Sequence, residues 1–204
     1  MAAGSVAALA ASLPAAAASL WTNTASPAIP SIPGSPFELG VKFQSDTAGY
    51  ITALRFYKCS ANTGRHVGHL WSGTGTLLAS AVFTSESASG WQQVTLSTPV
   101  AIQAHTTYVA SYWDPTGYHS ANRYYFRTTY NKPPLHALGD GVSGSNGVYR
   151  MGSSGFPALT SESSNYWVDV VFTPSSPAGS PQAPTRFLTA TPASLNFGNT
   201  TVGT

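Results

Sequence analysis

The chain has 204 residues, enough for one sizeable domain, of which only 8% are charged while 42% are apolar and 12% aromatic. That balance excludes a disordered chain, which combines low hydrophobicity with high charge. The formal net charge of +2 comes from scattered Lys and Arg, which excludes the concentrated basic surface that nucleic acid requires.

Residues 1–21, MAAGSVAALAASLPAAAASLW, resemble the apolar part and small-residue cleavage site of a secretory signal, without a Lys or Arg before the apolar run. Pro14 and the alanine content make the stretch a poor transmembrane helix, and a low-complexity linker is the other reading. Residues 1–36 are therefore expected to be leader and linker, with the Pro/Ser stretch 26–36 extended and solvated. From residue 37 the period is two. In FELGVKF, Phe37, Leu39, Val41 and Phe43 share a face opposite Glu38 and Lys42. In YITALRFY, Tyr50, Leu54 and Phe56 fall on one face and Ile51, Arg55 and Tyr57 on the other. Cys59 follows as the only cysteine. It excludes an internal disulfide and a multi-cysteine zinc cluster, and its apolar setting predicts a buried, inert thiol. Further strands are predicted at 67–72, 77–84, 91–97, 106–113, 124–127 and 148–151. In the closing YWVDVVF, Tyr166, Val168, Val170 and Phe172 oppose Trp167, Asp169 and Val171. No window shows an apolar stripe at helical spacing, so the expected fold is an all-β, antiparallel β-sandwich with jelly-roll-like connections over residues 37–173. A Pro/Ser-rich linker is expected at 174–187.

Several of these phrases, FELGVKFQSDTAGYITALRFYK, GHLWSGTGTLLASAVF, SGWQQVTLSTPVAI, TTYVASY and NYWVDVVF, together resemble the bacterial family known as domain of unknown function 4082. The resemblance implies a secreted or envelope-associated sandwich module, found in multidomain proteins beside immunoglobulin-like repeats and catalytic domains. It supplies no catalytic residue. The final LTATPASLNFGNTTVGT, residues 188–204, resembles the opening strand of the immunoglobulin-like repeats named after abnormal spindle and hydin proteins, cut short before a second domain can form.

The chemistry-bearing residues point more to binding than to bond breaking. No nucleophile-elbow pattern is present, and the seven acids show no spacing that favours a glycosidase pair. His66 and His69 are three residues apart, which on a strand sends them to opposite faces and opposes a joint metal site. Calcium is the one cofactor that suits such a module, at Glu38, Asp46 and Asp169 near strand ends or on outward faces, although solvated surface acids account for the same three. Aromatic residues beside polar groups in loops are the pattern a sugar ring recognises, with an apolar floor and a few convergent polar groups. The candidates are Trp113, Asp114, Tyr118 and His119 in YWDPTGYH, Tyr149 and Arg150 in GVYRMG, and Asn165 and Tyr166 in ESSNYW. Trp71, Trp91 and Trp167 are expected to fill or cap the core. The expected function is a non-catalytic accessory module of a secreted or cell-envelope multidomain protein, carbohydrate-binding or adhesion-like, holding a polysaccharide or cell-surface glycan. The alternative is a spacer that packs against neighbouring domains of the parent chain, and a small hydrolase is the third reading.

Overall fold

A computed structural model describes residues 16–174. Residues 1–15 of the expected leader, and nearly all of the linker and the immunoglobulin-like opening expected at 174–187 and 188–204, lie outside them. In chain order the strands are β1 (Ile29–Ile32), β2 (Phe37–Ser45), β3 (Gly49–Lys58), β4 (Val67–Ser72), β5 (Leu77–Val82), β6 (Gly90–Ile102) and β7 (Tyr108–Asp114). Six shorter ones follow: β8 (His119–Ala121), β9 (Tyr130–Lys132), β10 (Leu135–Ala137), β11 (Val148–Met151), β12 (Leu159–Thr160) and β13 (Val168–Thr173). The wide sheet runs β12-β11-β2-β7-β4-β5, and β10 with β9 extends the other half of the β2 edge. The narrow sheet is β13-β3-β6.

Four antiparallel pairs are nested in the chain: β4 with β5, β3 with β6, β2 with β7 and β1 with β8. They form one long hairpin ribbon folded over so that successive pairs fall on alternate layers, which is the winding of a jelly roll. Alternation explains the layers. Leu39, Val41 and Phe43 of β2, Leu54 and Phe56 of β3, and Val168, Val170 and Phe172 of β13 all turn into one core. There the Phe56 ring stacks on Tyr112 at 4.2 Å and meets Phe83 edge-on at 4.8 Å.

The structure corrects three sequence expectations. Tyr50 does not share the face of Leu54 and Phe56: a bulge between Ile51 and Ala53 inverts the phase, so Ile51 is buried and Tyr50 only partly so. Residues 124–127 form no strand, because Tyr124 is left-handed (φ 61) and opens a 3-10 turn at Tyr125–Arg127. The backbone N–H groups of Tyr124 and Phe126 then bond to the carbonyls of Glu162 and Ser163 instead of a sheet. Finally, the folded unit begins well before residue 37. Ala18 exchanges two backbone hydrogen bonds with Phe172, Leu20 is buried, and the Pro/Ser stretch supplies β1.

This N-terminal strap crosses the outer face of the narrow sheet. The Leu20 and Trp21 N–H groups donate to the Asp169 carboxylate at 2.8 and 3.3 Å, and Arg55 donates to the Trp21 carbonyl at 3.2 Å. Trp21, only 3% exposed, sits among Trp91, Trp167, Tyr125 and Tyr130 with ring centroids 5.7 to 6.4 Å away. Trp167 and Trp71 are buried and Trp91 is half-buried, in keeping with the structural reading of all three. Cys59 is buried, its thiol directed at the Tyr118 carbonyl. Among the described residues no helix is long and apolar enough to cross a membrane.

Gly147 opens β11 with φ 73, and a Cβ there would overlap the Ser164 carbonyl oxygen. Gly147→Ala combines left-handed strain with a backbone clash, and is expected to lower stability by about 1–3 kcal/mol. Chemical denaturation followed by tryptophan fluorescence measures that loss; an unchanged midpoint would show that the turn can relax.

Candidate functional site

Unequal sheets create an opening. The narrow sheet has three strands, and the inner face of the wide sheet at β2 and β11 extends beyond its cover. The register places Tyr149 opposite Leu39 and Met151 opposite Phe37, so these four side chains share that inner face. Strand β8 and residues 161–166 supply the facing wall. The result is a cleft of about 270 Å³ lined by Phe37, Leu39, His119, Tyr149, Met151 and Tyr166, with Ser161 at its rim. His119 meets Phe37 edge-on at 5.5 Å and Tyr166 at 5.8 Å, and Phe37 meets Tyr149 edge-on at 6.0 Å. A smaller space of about 130 Å³ shares His119, Ser161 and Tyr166 with it and continues toward Arg123, Glu162 and Ser164.

His119 is only 8% exposed, and its Nδ1 is buried with no hydrogen-bond partner. Burial lowers its pKa, against the upward pull of a hydrogen bond to the Gly117 backbone and of the Asp114 carboxylate, which favours the neutral imidazole. Burial likewise pushes the Tyr166 phenol up to about 12, which keeps it a neutral hydroxyl. The cleft therefore presents aromatic walls, an aliphatic floor and uncharged hydrogen-bonding groups.

Three of the eight sequence candidates, His119, Tyr149 and Tyr166, converge here. The other five lie elsewhere. Trp113 and Arg150 are on the outer face of the wide sheet, donating to the carbonyls of Gly152 (3.1 Å) and Ser153 (3.2 Å). Asp114 is fully buried; its Oδ1 accepts from the Thr116 and Gly117 N–H groups and the Thr116 hydroxyl, shaping the turn that delivers His119. Desolvation raises its pKa. Tyr118 is exposed, and the Asn165 side chain accepts the Trp167 N–H at 2.7 Å. Phe37, Leu39, Met151 and Ser161 were not foreseen. The alternation at Phe37 and Leu39 was visible, but the pairing of β2 with β11 that makes them a cleft was not.

The three carboxylates considered for calcium are not brought together. Glu38 is buried on the outer face of the wide sheet and accepts from His69 Nδ1 (2.8 Å), Ser111 (2.6 Å) and Ser154 (2.9 Å). Asp169 is buried on the outer face of the narrow sheet, bonded to Arg55 at 3.0 Å and to backbone N–H groups. Asp46 pairs with His136 at 2.8 Å. Each carboxylate already has its own donors, so together they form no calcium cage. Among the described residues no three His, Cys, Asp or Glu side chains are grouped to hold a metal ion. His66 and His69 are indeed separate: His66 bonds to Glu86 and Asn62, His69 to Glu38.

The Glu38 network contains a serine, a histidine and an acid, yet it is not a hydrolytic triad. Both serines donate to the carboxylate and neither bonds to the imidazole, so no hydroxyl has a base to take its proton. Trp71 Nε1 donates to Ser111 at 2.8 Å, and Phe156 covers Trp71 edge-on at 5.7 Å. The network fastens the segment after β11 to the sheet.

The family model described as "Domain of unknown function (DUF4082)" matches residues 24–168, and the chain belongs to that family. No curated protein matches the chain.

Proposed function

We propose that this member of the DUF4082 family is a non-catalytic accessory module of a secreted multidomain bacterial protein, and that it binds carbohydrate in the cleft around His119. The observation that carries this reading is the meeting of Phe37, Tyr149 and Tyr166 with the His119 ring over an aliphatic floor. Sugar rings offer apolar C–H faces and a surplus of hydroxyls, and this lining matches both. Glycoside hydrolysis needs two facing carboxyls. Of the seven acids, all within the described residues, Glu162 alone lines the groove, and it is paired with Arg123 at 3.2 Å. That geometry supports holding a glycan without cleaving it.

Tyr149→Ala is expected to weaken glycan binding about tenfold; because the half-buried ring also packs on Phe37, binding is compared under conditions where denaturation shows the variant fully folded. Affinity electrophoresis and calorimetry against soluble xylan, mannan, glucan and galactan read the effect. Retention by none of them, or retention indifferent to Tyr149, would remove the proposal.

A spacer role has one observation in its favour. Leu77 and Leu78, 50% and 38% exposed on the edge strand β5, offer apolar surface to a neighbouring domain.

A further inference from the structure

The apolar floor of the cleft reaches past the cleft itself. Register places Leu159 of β12 directly opposite Tyr149 of β11, which in turn stands opposite Leu39 of β2. Residues paired across neighbouring strands point to the same face, so Leu39, Tyr149 and Leu159 form one row on the inner face of the wide sheet. Phe37 and Met151 form the next row, two residues further along the same strands. Cover is lost toward the β12 edge: Leu39 is buried and Tyr149 half-buried, whereas Met151 and Leu159 are 59% and 51% exposed. Diagonal neighbours on paired strands lie about 7–8 Å apart, within reach of two long side chains, so Met151 and Leu159 make one apolar shoulder beside the cleft. Alone, an exposed Leu or Met is ordinary; adjoining each other and an aromatic cleft, they mark surface kept for a ligand.

We infer that the site takes a neutral sugar carrying an O-acyl group, with the ring against Phe37 and Tyr149 and the acyl group, an acetyl ester in the simplest case, over Met151 and Leu159. This rests on the carbohydrate-binding reading and narrows it to a ligand class. Three features carry it. Leu159 stands one strand beyond Tyr149, a spacing of about 4.8 Å. A methyl borne on the sugar ring itself falls short of that, whereas an acyl group hung on a ring oxygen reaches it. The shoulder side chains also offer no hydrogen bond, so a free hydroxyl covering them gives up water without gaining a partner, and its ester puts a methyl there instead. Finally, neither the cleft lining nor the shoulder contains Lys, Arg, Asp or Glu, so nothing in it selects a charged sugar.

The test uses the full chain and calorimetry with xylotetraose and mannotetraose, each as its mono-O-acetyl form and after mild alkaline deacetylation. The acetylated form is expected to bind about fourfold more tightly, the worth of burying one methyl group. Leu159→Ser, at an exposed position of a two-residue strand, is expected to bring the two forms level without a change in melting. Met151→Ser is the second variant and is read by the same ratio, which stands apart from any general loss of ring binding. Methyl fucoside, whose methyl sits on the ring, is expected to gain nothing over methyl galactoside. Equal binding of both forms, an increment that both variants retain, or a gain for the fucoside overturns the acyl assignment and leaves carbohydrate binding standing. Binding of none of these probes overturns both.

Discussion

Asp169→Ala is expected to cost about 3–5 kcal/mol of folding stability and to release the N-terminal strap. The substitution strands the Arg55 guanidinium, itself buried, leaving it the Trp21 carbonyl, the Asn23 side chain and the face of Trp91 without its carboxylate. It also removes the acceptor for the Leu20 and Trp21 N–H groups. A buried ion pair adds little over a well-packed apolar pair, but breaking one from one side leaves an uncompensated charge, and that is the large effect. Urea denaturation gives the magnitude, and Trp21 fluorescence reports the strap. A loss under about 1 kcal/mol would mean that the strap is held by its aromatic contacts alone.

The same carboxyl makes stability depend on pH in a direction opposite to most acids. Burial pushes Asp169 up to about 6, against the downward pull of Arg55 and the N–H groups of Leu20, Val170 and Trp21. The folded chain therefore keeps a proton there that the unfolded chain releases near its ordinary value of 3.8. Stability from this group is complete below about pH 4, falls as pH rises to about 6, and is level above. The span is at most about 3 kcal/mol, from about two pH units at about 1.4 kcal/mol each. Asp169→Asn should flatten the difference between urea midpoints at the two ends of that window.

Glu38→Ala is expected to have an effect of the same order, about 3–5 kcal/mol, on the opposite layer. It strands three donors at once, His69, Ser111 and Ser154, and Ser111 in turn holds Trp71. Glu38→Gln preserves an acceptor and should lose less than half as much. Because Ser154 belongs to the segment after β11, the alanine variant should also speed amide exchange over residues 152–157. Uniform exchange in both variants would show that the covering segment is fastened by Phe156 on Trp71 instead.

The period of two made the layers legible. Strands β4 and β11 occur at the predicted residues, and Leu54 and Val168 turn inward as their alternation requires. What stayed hidden depends on partners remote in the chain. Leu20 and Trp21 lie in a stretch that reads as leader or linker, and they join the fold through partners as remote as Asp169, 149 and 148 residues away, and the rings of Trp91 and Trp167. Strands of two or three residues, namely β8, β9, β10 and β12, are too short to show alternation. The cleft was legible in part for the same reason: aromatic residues beside polar loop groups marked His119, Tyr149 and Tyr166. Trp113 and Asp114 adjoin the same loop, but strand phase sends Trp113 to the outer face and the turn consumes Asp114. The cleft needed the register of β2 with β11, which no local pattern encodes.

Titration of the labelled protein with the oligosaccharides of xylan, mannan, glucan and galactan, followed by aromatic carbon–proton NMR, separates the candidate surfaces residue by residue. Shifts concentrated on Phe37, His119, Tyr149 and Tyr166 are the predicted outcome. Shifts on Trp91, Tyr57 and Tyr130 around the strap, with the His119 ring unmoved, would place the sugar on the other layer and contradict the cleft.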